Sequence, residues 1–370
     1  MDYNITHRDS DTGARSGVLR VRGRELETPV FMPVATQATV KAVSSQELAD
    51  CGVDMVISNA YHLYLRPGAE IIEKAGGLHS FMGWDGAVTT DSGGFQVFSL
   101  AELRKIREEG VEFKSHIDGS RHFFTPESVV DLQLSLGSDI MMPLDECVRY
   151  PAEKSYVEDS VDLTLRWARR SRERLSRRET GAALFGIVQG GTYIEQRNRC
   201  AEALVDMDLD GYALGGIGVG EPPEMINEIT DHTASLLPDG KVRYLMGVGT
   251  PPDMLEAIAS GVDMFDCVVP TRNGRNGQAF TFSGEIQLRN APFKDDFRII
   301  EDGCGCFACR NGYTRAYIRH LFNTGEILAM RLITLHNIYF YAKLIKLSRE
   351  AVKNGGFSGF KDRFIRKFSA

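Results

Sequence analysis

The feature that most constrains this chain is an alternation. Short apolar, β-rich runs are separated repeatedly by longer stretches with the spacing of amphipathic helices. The runs fall at residues 30–34, 55–58, 87–90, 140–144, 184–188, 212–214, 244–246 and 264–268. Helical patterns occupy 127–136, 155–178, 193–205, 223–237 and 252–260. Proline at 126 and again at 251 and 252 suits the first turn of a helix, where its missing N–H costs nothing. Strands joined by helices pair in parallel, and eight of them predict an α/β chain closed into a (β/α)8 TIM barrel. An open doubly wound sheet is the alternative. It is weakened because no GxGxxG follows the first strand.

A barrel of this kind needs about 250 residues, and the chain has 370. The surplus is placed as follows. Residues 1–29 read as an extended cap and 30–290 as the barrel, interrupted by a hairpin at 112–124 with its tip at Asp118, Gly119 and Ser120. Extended chain at 280–290 precedes a cysteine-rich, zinc-binding insertion at 291–325. A long helical pattern from 326 to about 351 supplies the eighth helix, and 326–370 ends in a basic tail.

Composition narrows the class of partner. Hydrophobic residues make up 43% and charged residues 25%, ordinary values for a folded domain. No run of about 18 apolar residues marks a membrane span, and residues 1–24 lack the apolar stretch of a signal peptide. A cytoplasmic protein with no membrane partner is expected. The net charge of −7 hides an asymmetry: residues 303–370 carry 12 Lys+Arg against 3 Asp+Glu, so the remainder is at −16. A basic end of this kind suits either a polyanion or a solvated helix face. Of the seven cysteines, Cys51, Cys147, Cys200 and Cys267 are scattered singly, which is no disulfide framework. Cys304, Cys306 and Cys309 crowd together as metal ligands do. With one histidine they make a closed Cys3His set, the pattern of a structural zinc; His320 and His336 both follow the cluster.

In a (β/α)8 barrel the chemistry sits at the C-terminal ends of the strands. Those ends carry Asp91, Asp145, Gln189, Gly215-Gly216, Met246-Gly247 and Asp266. One acid there is as readily a helix cap as a catalyst; acids at three strand ends favour chemistry. Three carboxylates in one pocket suit nucleophilic and acid–base work at a glycosidic carbon, or reading of the N–H edge of a purine. Phe95 and Met246 are placed to sandwich a flat base. Arg272 and Arg275 form a basic, Gly-rich loop beside Asp266 that suits phosphodiester contact.

Taken together, Asp91-Ser92-Gly93-Gly94-Phe95-Gln96, Gly190-Gly191, Gly215-Gly216 with Gly220-Glu221, Phe265-Asp266-Cys267 with Pro270-Thr271-Arg272, and the Cys-x-Cys-x2-Cys cluster with its histidine resemble the tRNA-guanine transglycosylases. The resemblance runs from about Val30 to His336 in the family's motif order. It implies that Asp266 is the nucleophile that expels guanine from the ribose and forms a covalent tRNA–enzyme ester. Asp91 would be the general acid/base, supported by Ser92. Asp145, Gln189, Gly215 and the Gly216 N–H would hold the purine. Ile217, through its carbonyl, and Glu221 behind it would read a substituent on the incoming base. His336 would complete the site of one structural Zn2+.

Cys147 and Val219 resemble the bacterial branch, whose incoming base is 7-aminomethyl-7-deazaguanine (preQ1), exchanged at the wobble position in queuosine biosynthesis. A homodimer is common in that branch. The alternative is a catalytically silent tRNA-binding subunit of the same family. Such subunits lose key acids that are present here.

Overall fold

Eight parallel strands close on themselves in the computed structural model, which describes residues 1–94 and 104–369. In chain order the barrel strands are β4 (Val30–Ala35), β5 (Met55–Ser58), β6 (Ala87–Thr90), β10 (Ile140–Met141), β11 (Ala183–Val188), β12 (Gly211–Leu214), β13 (Val242–Leu245) and β14 (Met264–Cys267). The ring is shut by β14 against β4, in a register that pairs Met264 with Val30 and Cys267 with Pro33. The expected barrel is therefore the fold. β10 is shorter than its apolar run, pairing only at Ile140 and Met141 before the chain leaves the ladder.

The strands have two faces, and both are buried. Inward residues such as Val30, Met32, Met55, Ile57, Phe185, Ile187 and Tyr244 fill the interior. Outward residues such as Phe31, Leu184, Leu214 and Phe265 pack beneath the helices. That double burial is why the strands read as unbroken apolar runs.

The first 28 residues do more than cover a surface. β1 (Asp2–Arg8), β2 (Arg15–Val21) and β3 (Arg24–Thr28) form an antiparallel sheet whose Leu19, Val21 and Leu26 join the interior cluster of the barrel. Arg15 and Asp263, both essentially fully buried, fasten this sheet to the barrel at 2.6 Å.

Three elements differ from expectation. The hairpin β8 (Gly110–Lys114) and β9 (Arg121–Phe124) gains a third strand, β7 (Arg104–Arg107), whose charged sequence hides it. The segment carrying Arg272 and Arg275 is a short helix, Val269–Arg275, rather than a loop, because Pro270 starts a turn that the glycine at 274 does not break. The basic tail is a second amphipathic helix, Phe357–Phe368, anchored by Phe357 and Phe364. Before it, Ile327–Lys353 forms one long helix along the barrel, with the Tyr341 ring tilted against Phe31 at 4.9 Å between centroids. Among the described residues no helix is long and apolar enough to cross a membrane.

Candidate active site and metal centre

Counting along the strands places the site. Side chains alternate between the two faces of a strand. Met264 is interior and Phe265 exterior, so Asp266 turns inward at the end of β14. The same two-residue step from Ala213 and Tyr244 brings Gly215 and Met246 inward at the ends of β12 and β13, as it does Gln189 from Ile187 on β11. From Ala87 it reaches Asp91, just past β6.

Asp266 is held by one oxygen. Tyr244 donates its hydroxyl hydrogen to Oδ1 at 2.6 Å, and the Gly247 N–H donates to the same atom at 2.9 Å. Among the described residues no hydrogen bond reaches Oδ2. Burial raises the Asp266 pKa, opposed by these two donors.

Asp91 accepts from Asn59 Nδ2 at 2.5 Å, from the Ala60 N–H at 3.0 Å and from the Gly93 N–H at 3.1 Å. Burial nevertheless pushes its carboxyl up to about 7, with a further push from the charges of Asp266 and Asp145. Asp145 is pushed up to about 6 by burial, although Gln189 Nε2 donates to it at 2.7 Å. Among the described residues the Ser92 hydroxyl is bonded to Asp145 rather than to Asp91. Its Oγ lies 3.4 Å from Asp145 Oδ1, to which it donates, and accepts the Gly94 N–H at 3.1 Å.

The floor of this pocket depends on glycine. Gly216 has φ of +59°, and a Cβ there would lie 2.2 Å from Gln189 Oε1. That oxygen is buried and has no hydrogen-bond partner among the described residues. Ile217 is buried, and Glu221 behind it accepts the Val219 N–H at 2.8 Å. Arg272 is exposed while Arg275 is half-buried, with Nη1 buried and without a hydrogen-bond partner among the described residues. Phe95 lies outside the described residues.

A second group of residues could hold a metal ion. Cys304, Cys306, Cys309 and His336 are all buried, with donor atoms within 4.8 Å of one another. His336 Nδ1 lies 3.7, 3.3 and 3.7 Å from the three sulfurs. Tetrahedral Zn–S and Zn–N bonds of about 2.3 and 2.0 Å would put sulfur and nitrogen about 3.5 Å apart, so the set fits. His336 Nε2 sits 2.7 Å from the Phe280 carbonyl, which selects the tautomer with Nδ1 free to ligate. His320 is exposed on another helix and takes no part. All seven cysteines are free of disulfides.

Comparison with known proteins agrees with this geometry. The family described as TGT, queuine tRNA-ribosyltransferase, matches residues 9–370. The chain is 56% identical over 368 residues to a queuine tRNA-ribosyltransferase of Thermoanaerobacter pseudethanolicus, covering 100% of this chain and 98% of that protein. A protein of the same name from Caldanaerobacter subterraneus subsp. tengcongensis is also 56% identical, with the same coverage. One from Pelotomaculum thermopropionicum is 54% identical, over 100% of this chain and 99% of its own length. The chain belongs to the queuine tRNA-ribosyltransferase family.

Within this member of the family, sequence reasoning missed three residues at the site. Asn59 directly follows β5 and is inward by the same count from Ile57, so the strand-end rule would have found it. Tyr244 reads as core because it lies within β13, yet its hydroxyl reaches the mouth. Arg197 sits on the helix Ile194–Asp206, where an arginine ordinarily faces solvent; here it is fully buried.

Proposed function

We propose that this protein exchanges the wobble guanine of a tRNA anticodon stem-loop for preQ1 through a covalent aspartyl–ribose intermediate. The observation that carries the reading is Asp266, with one oxygen fixed by two donors and the other uncommitted at the barrel mouth. Oδ2 attacks the anomeric carbon, the bond to the base breaks, and its electron pair leaves with the purine. Asp91, with its pKa near neutrality, donates a proton to the departing base and takes one from the incoming base. Asp145 and Gln189, joined to each other, face the N–H edge of the base, and Met246 stacks on it. Arg272 and Arg275 contact the phosphodiester flanking the splayed nucleotide.

The resident metal in this reading is a single structural Zn2+ on Cys304, Cys306, Cys309 and His336. It ties the insertion 291–325 to the closing helix and leaves no coordination position for substrate. The division into cap 1–29, barrel 30–290, insertion 291–325 and closing segment 326–370 goes with it, as do a homodimer and a cytoplasmic setting. The silent-subunit alternative is disfavoured by the presence of Asp91, Asp145 and Asp266 in one pocket.

The test is incorporation of labelled guanine into unmodified tRNA by wild type and Asp266→Asn, followed by chase with preQ1. Exchange that vanishes in the variant, with preQ1 displacing guanine irreversibly, supports the reading. A folded, tRNA-binding wild type that exchanges nothing overturns it.

A further inference from the structure

Arg197 is a cation in the barrel wall with no carboxylate hydrogen-bonded to it among the described residues. Its side chain is fully buried, and all of its hydrogen bonds go to main-chain carbonyls. Nε donates to Gly191 at 2.8 Å, Nη1 to Val188 at 3.1 Å and Gly215 at 2.9 Å, and Nη2 to Gly216 at 3.1 Å. These carbonyls belong to the last residue of β11 and to the turns after β11 and β12, which form the pocket floor. Burial pulls the arginine down to about 10, which leaves it charged at neutral pH. A buried guanidinium without a carboxylate is costly to solvate. Packing alone would be served by an apolar side chain.

What the arginine does to the peptides follows from their planarity. In a trans peptide the N–H points opposite to the C=O. With the Gly215 carbonyl turned back onto Arg197, the Gly216 N–H points away from it. With the Gly216 carbonyl held likewise, so does the Ile217 N–H. Both residues are buried, and neither N–H has a hydrogen-bond partner among the described residues. Two consecutive buried donors without acceptors form a small anion- or carbonyl-binding nest. The left-handed φ of Gly216 is what lets the two N–H groups converge.

We propose that Arg197 is a positioning residue that aims the Gly216 and Ile217 N–H groups at the ring carbonyl oxygen of the purine and favours negative charge arriving there. The inference rests on the base-exchange reading above and adds a charge behind the floor of the pocket. When the bond between the ribose and the base breaks, the electron pair enters the purine ring and spreads to that oxygen. Donors pre-aimed at the oxygen, and polarised by a guanidinium behind them, stabilise it without reorganising.

The test compares two free bases that differ in one atom, guanine and 6-thioguanine, whose sulfur is a weaker acceptor in place of the ring oxygen. Their dissociation constants are measured on zinc-loaded full-length wild type, Arg197→Met and Arg197→Lys. Arg197→Met should weaken guanine at least about tenfold and 6-thioguanine less than about threefold, with Arg197→Lys between wild type and Arg197→Met. Equal losses for the two bases overturn the positioning role and leave Arg197 as scaffold. Should Arg197→Met fail to fold, the guanine-to-thioguanine ratio of Arg197→Lys decides alone, and an unchanged ratio overturns the proposal. A wild type that binds neither base overturns the exchange reading itself, whereas loss of selectivity confined to the variants bears on Arg197 only.

Discussion

Tyr244 and Asp266 share a 2.6 Å hydrogen bond in which the phenol donates to Oδ1, leaving Oδ2 as the attacking oxygen of the proposed reaction. The phenol stabilises the ionised carboxylate, which is the nucleophilic form, so its removal should raise the Asp266 pKa further. A hydrogen bond to a charged group contributes about 1.5–3 kcal/mol, or roughly tenfold to a hundredfold in rate. Tyr244→Phe is therefore expected to slow covalent-complex formation at neutral pH by about tenfold or more. The acidic limb of its pH profile should also move to higher pH. Single-turnover rates across pH measure both; an acidic limb that stays where it is in wild type rules out control by this phenol.

Asp91 gives a prediction of opposite sign. Its carboxyl is pushed up to about 7, and in the proposed reaction expulsion of guanine needs the protonated form. The first half-reaction should therefore decline as pH rises through about 7. Asn59 donates to the ionised carboxylate, so Asn59→Ala should raise the Asp91 pKa and carry this alkaline limb to higher pH. The measurement is the pre-steady-state release of labelled guanine from tRNA. A limb that moves down in Asn59→Ala would contradict the assignment of Asp91 as the acid.

The barrel was legible because each strand is buried on both faces and therefore apolar from end to end, as in Ala183–Val188. The positions of Asp91, Gln189 and Asp266 were legible for a related reason: a polar residue directly after such a run stands out. Tyr244 and Arg197 were hidden because their side chains travel. One carries a hydroxyl from within β13 to the mouth, and the other carries a charge inward from a helix whose neighbouring Arg199 is partly exposed. Residue type and spacing record where a Cα sits, and only the fold records where a long side chain ends. The strand Arg104–Arg107 was unreadable because its pairing to Gly110–Lys114 rests on main-chain bonds rather than on an apolar pattern. The helix Phe357–Phe368 was masked by the glycines at 355 and 356 and by its basic residues.

Metal loss should be felt locally first. The three cysteines lie inside a cluster that includes Ala279, Ile300, Ile318, Leu321 and Leu332, so part of the insertion's packing does not depend on the ion. His336, however, sits one residue before Asn337, whose amide bonds the Pro270 and Gln278 carbonyls and the Phe280 N–H. Cys306→Ser should reduce the metal content from one zinc per chain to near zero and lower Tm by at least about 5 °C. Metal analysis and thermal unfolding of the full chain check this. A variant that retains zinc, or loses it with no change in Tm, would show that the cluster does not bear on stability.

The pair Arg15–Asp263 predicts that the N-terminal sheet is integral to the barrel. Arg15 donates to both carboxylate oxygens, at 2.9 and 2.6 Å, and Asp263 also accepts from Tyr3 at 2.8 Å and from the Arg243 N–H at 2.8 Å. Arg15 reaches further, to the carbonyls of Asp239 and Lys241. Removing the arginine leaves a buried carboxylate facing only neutral donors and two carbonyls without their partner. Breaking a buried pair in this way costs about 3–5 kcal/mol. Arg15→Met, which keeps the volume of the stem, should lose that much in chemical denaturation. Tyr3→Phe removes one neutral donor to the carboxylate and should cost less, about 1.5–3 kcal/mol. Because Asp263 precedes β14 at the end opposite Asp266, guanine exchange by the folded Arg15→Met protein should stay near wild type. A loss below about 1 kcal/mol would mean that the sheet is held by Leu19, Val21 and Leu26 alone, and an exchange defect in the folded variant would mean that the cap communicates with the mouth.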